Sequence, residues 1–419
     1  MKKTLRDVDV RGKKVLIRVD YNVPLDVNLN ITDDGRIAST VPTLKYLLNE
    51  NAAIIIMTHL GRPKGKIVPE MSLMPVSTRL SELLGRPVKF IGSGCISVQS
   101  KKAAGNLNPG EVLLLENLRF YPEEEGKSRS GEKDKTAMES FAKELASMGE
   151  IFIQDAFGTV HRSHASTVGI VKYVKNAAVG FLVEKELKFL GEALENPIRP
   201  FLAILGGAKV SDKMDVIENL LNKVDAIIIG GAMAHTFLKS CGVSMGTSLV
   251  ENDKFDLSAK LFKKAEDRKV DFLLPIDHVV ANKVDFLNKN IPNDAIVKTT
   301  LDEAIPDGFM GVDIGLRSID KFSEIIKSAK TIVWNGPLGI FEISKFSKGT
   351  LGIAKLVAEG TDKGAVSVVG GGDSVAAVKK AGVEKRISHI STGGGASLEF
   401  LGGKELPGIS CMPDNIVDE

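Results

Sequence analysis

The chain has 419 residues, with 55 lysines and arginines against 53 aspartates and glutamates, a formal charge of +2. That balance argues against a protein built to grip a nucleic-acid backbone or an anionic membrane surface. With 43% hydrophobic and 26% charged residues the chain is not compositionally disordered.

Such a length suggests two domains. Two residue types divide along it: 11 of the 14 arginines lie in residues 1–200, whereas 25 of the 41 glycines lie beyond. Residues 1–14 carry Lys2, Lys3, Arg6, Arg11, Lys13 and Lys14 without an apolar run, so no export signal or membrane anchor is expected. Cys95, Cys241 and Cys411 are odd in number and far apart, which suits free thiols in a reducing cytoplasm.

Short apolar runs without alternation recur along the chain and read as parallel strands buried on both faces. In the first half they are Val15–Val19, Ala52–Met57, Val112–Leu115 and Ile151–Ile153. Polar residues follow each: Asp20 and Asn22, then His59 to Arg62, then Glu116 to Arg119, then Asp155 with His161, Arg162 and His164. Ligands of open parallel sheets bind beyond the carboxyl ends of strands. Three arginines converging there, with Arg36 on a turn as a fourth, make a site for a small, multiply charged anion. Glu123 to Glu125 and the lysine-rich Lys127–Lys135 read as a solvated surface loop.

The segment Phe181–Leu194 has amphipathic helical spacing and ends at Asn196-Pro197, so it reads as a helix joining two α/β domains. The expected division is 1–180, a hinge over 181–200, a second domain over 201–405 and a tail over 406–419.

Beyond it come Phe201–Leu205, Ala226–Ile229, Phe272–Leu274, Thr331–Trp334, Val366–Val369 and Ile387–Ile390. Here glycines follow the strands, in Gly206-Gly207-Ala208-Lys209, Gly230-Gly231, Gly370-Gly371-Gly372-Asp373-Ser374 and Gly393-Gly394-Gly395. Bare main-chain amides entering a helix attract phosphate, and several such turns in one sheet point to a nucleotide. No Walker-type Gly-Lys-Ser/Thr loop, dinucleotide Gly-x-Gly-x-x-Gly turn or protein-kinase signature is present.

At these motifs the sequence resembles the phosphoglycerate kinase family, from about Leu5 to Leu406. The likeness is carried by Arg18 to Pro24, His59 to Pro63, Glu116 to Phe120, Asp155 to Gly158, His161 to His164, Gly206 to Lys213, Trp334 to Pro337, Gly370 to Ser374 and Ser391 to Gly395. It implies two doubly wound, Rossmann-like parallel-sheet domains joined by a hinge helix, with the tail packed back on the first domain. It also implies a cytoplasmic monomer that passes the acyl phosphate of 1,3-bisphosphoglycerate to ADP, giving 3-phosphoglycerate and ATP, with domain closure and magnesium bound alongside the nucleotide.

By the same resemblance, Asp20, Tyr21, Asn22, Arg36, His59, Leu60, Gly61, Arg62, Arg119 and Arg162 would hold the phosphoglycerate. Lys209, Lys213, Gly311, Asn335, Glu342, Gly371, Gly372, Asp373 and Ser374 would hold the nucleotide, with Asp373 as the magnesium ligand. Arg36, Lys209 and the main chain at Gly371 and Gly394 would surround the phosphoryl group in flight. Leu316 departs from the family, which often has proline after Asp313-Ile314-Gly315, and bears on the nucleoside pocket.

Overall fold

Runs of Val, Ile and Leu become strands covered on both faces, because few polar side chains interrupt them. In the computed structural model, which describes residues 2–415, Lys14–Val19 (β1), Ala53–Met57 (β2), Val88–Ile91 (β3), Val112–Leu115 (β4), Ile151–Asp155 (β5) and Asn176–Val179 (β6) form one sheet. Their order is β3-β4-β2-β1-β5-β6, and every neighbouring pair is parallel. Val15, Ile17, Ile54 and Ile56 pack on one face with Leu44, Leu47, Val76 and Leu80 from the helices Val41–Asn49 and Met74–Leu84. Leu16, Ile55, Leu113 and Phe152 on the other face are equally buried.

A second parallel sheet is built from Phe201–Leu205 (β7), Ala226–Ile229 (β8), Asp271–Leu273 (β9), Thr331–Asn335 (β13), Val366–Gly370 (β14) and His389–Ile390 (β15). Its order is β15-β14-β13-β7-β8-β9, so in both sheets the chain winds outward from a central strand, the doubly wound pattern. Between β9 and β13, His278–Ala281 (β10), Val297–Thr299 (β11) and Met310–Ile314 (β12) make a small antiparallel sheet.

Five of these strands escape the apolar-run criterion. β3 is a half-exposed edge strand, β6 is short and alanine-rich, and β10 to β12 are a separate layer of short, partly exposed strands.

The chain divides into two compact units, one of residues 2–187 with 405–415 and the other Lys188–Lys404. The division falls inside the helix Phe181–Glu195. The returning segment joins the first unit by main-chain bonds, Lys3 N to Pro413 O and Gly408 N to Val160 O, both 2.8 Å. Of the expected tail 406–419, residues 416–419 lie outside the described residues.

That long helix is capped from the sheet. Gly180 O accepts from Glu184 N at 2.9 Å, and Asp155 Oδ1 at the end of β5 accepts from Leu182 N at 2.9 Å and Val183 N at 3.2 Å. A carboxylate thus meets two amides that have no partner within the helix. A Cβ on Gly180 would stand 2.8 Å from Asp155 Cβ, so only glycine lets the strand end approach this closely. Burial raises the Asp155 pKa to about 6 despite these bonds. Asp155→Ala should destabilise the first unit by about 0.5–2 kcal/mol, the usual worth of a cap, lowering its melting temperature by a few degrees, while Asp155→Asn should lose less. Scanning calorimetry of the three proteins checks this, and an unshifted Asp155→Ala transition would contradict it.

Candidate active site

Parallel strands bring their last residues to one edge, and in the first unit that edge is polar. Asp20 follows β1; Arg36 sits in the helical turn Gly35–Ala38 and donates to Asp20 Oδ2. Asn22 N donates to Asp20 Oδ1 at 3.1 Å. Gly61 N donates to Asn22 Oδ1 at 2.8 Å, and Arg119 Nη1 donates to Gly61 O at 2.8 Å. His59 Nε2 lies 3.9 Å from Asp20 Oδ1. One connected cluster therefore joins Asp20, Asn22, Arg36, His59, Gly61 and Arg119 from the ends of β1, β2 and β4.

Arg62 and Arg162 are exposed at its margin. Burial, and to a smaller extent the nearby charge of Arg162, lowers the Arg119 pKa. Each of these guanidiniums offers a planar fork suited to carboxylate or phosphate.

Two of the expected contact residues turn their side chains inward. Tyr21 is fully buried, with its hydroxyl 2.7 Å from Thr40 Oγ1, so its side chain belongs to the core. Leu60 is buried too and is clasped through its main chain by Asn117, whose Nδ2 donates to Leu60 O at 2.8 Å. The side chain next to a strand end alternates between site and core, and in each motif one residue must turn inward.

The acidic cluster is corrected as well. Pro122–Glu125 curls into a 3-10 turn that carries Glu124 into the interior, where it is fully buried. Ser166 donates to it through Oγ at 2.6 Å and N at 3.0 Å, and His164 Nδ1 stands 3.6 Å away. Burial would raise its pKa, yet His164, Arg18 and Ser166 hold it below the ordinary carboxylate range. The signal available in the sequence was Arg18, a cation in mid-strand that requires a buried partner.

In the second unit the corresponding edge is nearly bare main chain. Gly206, Gly207, Lys209, Lys213, Gly371 and Asp373 help line a cavity of about 210 Å³. Gly336 has φ +100°, and a Cβ on it would stand 2.5 Å from Lys213 Nζ. Gly371 has φ +90° and heads the helix Gly372–Lys380, with Asn335 Nδ2 3.1 Å from where its Cβ would be. Lys213 Nζ donates to Gly206 O and Asn335 O at 2.6 Å and to Asn335 Oδ1 at 2.7 Å, tying the ends of β7 and β13 together.

Lys209 is exposed in the same cavity, as is Asp373. Ser374 is buried, and its Oγ accepts from Gly336 N; its hydroxyl shapes the turn. Gly394 precedes the helix Gly395–Leu401 with φ +51° and is not among the residues lining this cavity.

An adjoining cavity of about 340 Å³ shares Gly207, Pro337 and Asp373 and is lined also by Gly311 and Glu342. Its wall includes His235, His278 and Asp313, which the sequence reading did not single out because they stand among apolar neighbours. Burial drives His235 down to about 3 and His278 to about 4, so both imidazoles are neutral at physiological pH. Leu316 is 68% exposed and is the first residue of the helix Leu316–Ser328. That is a position proline favours, so the departure at Leu316 alters a helix start and not the cavity wall.

The family profile described as phosphoglycerate kinase matches residues 5–404.

The chain belongs to the phosphoglycerate kinase family.

The phosphoglycerate kinase of Chlorobium phaeobacteroides is 54% identical over 413 residues, covering 99% of this chain and all of that one. That of Prosthecochloris aestuarii is 53% identical over the same length, with 99% and 100% covered. Among solved structures, phosphoglycerate kinase from Coxiella burnetii superposes with a TM-score of 0.84 at 38% identity and 98% coverage of both chains. The Pyrococcus horikoshii phosphoglycerate kinase gives 0.81 at 31% identity, again with 98% of each chain covered. Family membership makes the chain a phosphotransferase acting between a phosphoglycerate and ADP or ATP.

Burial lowers the Lys213 pKa to about 8, against a smaller opposing pull from Asp373. Between pH 8 and the unfolded value near 10.4 the unfolded chain binds more protons at this lysine than the folded one. Its contribution to stability therefore rises with pH across that window. In a ¹³C-labelled protein the Lys213 Cε resonance should titrate near pH 8, and a midpoint above 10 would contradict the burial argument.

Proposed function

We propose that the first unit holds the phosphoglycerate and the second the nucleotide, and that the acyl phosphate of 1,3-bisphosphoglycerate passes reversibly to ADP, with no covalent enzyme intermediate. The observation that carries this reading is the chemical contrast between the two strand-end sites. Arg36, Arg62, Arg119 and Arg162, with Asp20, Asn22 and His59, offer fixed charge and hydrogen bonds to a compact, multiply anionic acid. Gly206, Gly207, Gly336, Gly371 and Gly372, with Lys209, Lys213 and Asn335, offer main chain and point charges to a polyphosphate.

The step needs little covalent help: catalysis is positioning together with stabilisation of charge on the equatorial phosphoryl oxygens. Arg36 and Lys209 would supply that charge, and the amides at Gly371, Gly372 and Gly394 would add donors. The acceptor carboxylate is already ionised at neutral pH, so neither His59 nor Asp20 is needed as a base.

Asp373 suits magnesium held jointly with the nucleotide. It is a single exposed carboxylate lining both the phosphate cavity and its neighbour, and magnesium commonly takes one or two carboxylates plus substrate phosphates and waters. Among the described residues no cluster of three acidic, histidine or cysteine side chains could hold an ion alone. Bound there, the ion would neutralise phosphate charge.

Half-sites carried on two units call for closure in this reading, with the helix Phe181–Glu195 as the hinge. Among the described residues no helix is long and apolar enough to cross a membrane. The cysteines are free, and in this reading the enzyme works as a monomer in the cytoplasm.

Arg36→Ala should lower turnover about a hundredfold or more, the worth of a donor to developing charge, with an unchanged melting temperature, in a coupled assay of ATP-dependent 3-phosphoglycerate phosphorylation. Lys209→Met should lower turnover more than nucleotide affinity; equal losses would make Lys209 a ground-state contact. Small-angle scattering should show a smaller radius of gyration with both substrates than with neither, and superimposable profiles would refute closure.

A further inference from the structure

Arg18 is fully buried in β1 and cannot itself reach a ligand. Its guanidinium is committed in three directions: Nε donates to Ser166 Oγ at 2.8 Å, Nη1 to Val19 O and Nη2 to His59 Nδ1 at 3.2 Å. Ser166 passes the contact on to the buried Glu124 carboxylate at 2.6 Å, so the cation is balanced without being free to turn.

The last of the three bonds has a strict chemical consequence. Arginine has only donors and is always charged, so His59 Nδ1 must be the acceptor, and a neutral ring then carries its proton on Nε2. Nε2 faces Asp20 Oδ1 from 3.9 Å, beyond hydrogen-bond reach, which leaves that N–H for a ligand oxygen.

We propose that Arg18 is a positioning residue that locks His59 as the neutral Nε2–H tautomer, so that the ring offers one permanent donor beside Asp20 to an oxygen of the bound phosphoglycerate. The role of this donor rests on the reading of the first unit as the phosphoglycerate site; the tautomer itself does not. The groups facing the ring are Arg18 and Asp20 from β1 and its end, Arg36 from the turn beyond, Arg119 after β4 and His164 after β5. A second proton on His59 would break the bond from Arg18 and add a charge among three arginines. Burial, with Arg18, Arg119, His164 and Arg36, accordingly pushes the pKa well below 6.5.

The test is ¹⁵N spectroscopy of the histidine rings in the full-length protein between pH 5.5 and 8, with and without saturating 3-phosphoglycerate. The expected result is a bare Nδ1 and a protonated Nε2 throughout, with the Nε2 signal moving on addition of 3-phosphoglycerate. A proton on Nδ1, or a ring titrating near pH 6.5, overturns the proposal. The expected tautomer with an Nε2 signal unmoved by 3-phosphoglycerate overturns the phosphoglycerate-site reading and the donor's role with it. The double variant Arg18→Met/Glu124→Gln removes cation and anion together. Its KM for 3-phosphoglycerate should rise several-fold and gain a pH dependence, while KM for ATP stays constant. A folded double variant with a pH-independent KM for 3-phosphoglycerate also overturns the proposal.

Discussion

Strands buried on both faces can carry almost nothing polar along their length, so the polar residues of such a sheet are confined to its edges and strand ends. Ile54 to Met57, Leu113 to Leu115 and Ile227 to Ile229 have essentially no exposure. The backbone is satisfied by parallel ladders, and the side chains on both faces are covered by helices or other core groups. Chemistry therefore appears where each ladder stops, at Asp20, His59, Asn117 and Asp155 in one unit and at Gly206, Asn335 and Gly370 in the other. The same edge serves structure as well as function: Asp155 caps a helix while Asp20 meets Arg36.

In the proposed reading the two units solve one electrostatic problem in different ways. A compact acid with few atoms can be gripped by guanidinium forks whose orientation is fixed, as Arg119 is by Gly61 O and Arg36 by Asp20. A polyphosphate is longer and needs close approach of main chain, which only glycine with positive φ allows at Gly336 and Gly371. Side chains then act as ties: Lys213 joins β7 to β13, and Ser374 pins the Gly336 turn. Arg18 is a charged exception to the rule of apolar strands, and its burial is tolerable because Ser166 and Glu124 stand behind it.

Legibility in the sequence followed burial. The central strands and the helix Phe181–Glu195 were readable because a residue enclosed on all sides must be apolar, and the spacing of such residues is set by backbone period. Edge strand β3 and the antiparallel β10 to β12 were not, since a half-exposed strand has no obligatory composition. Motif order carried the arginine-bearing strand ends and the glycine turns. It did not say that Tyr21 turns inward to Thr40 or that His235 and His278 line the cavity beside the glycine turns.

By itself the amino-acid order determined the two α/β domains, the placing of arginine forks and glycine turns at strand ends, and the family to which the chain belongs, because those depend on local period and on residue type at each strand end. Only the tertiary structure decided that Glu124, in the most acidic stretch of the surface-looking loop, is a buried counter-ion, that Leu316 lies at a helix start away from the cavity, and that His59 receives its hydrogen bond from Arg18. The first and last of these are pairings between residues 41 to 148 positions apart, set by which side chains the folded sheet brings within about 3 Å of one another.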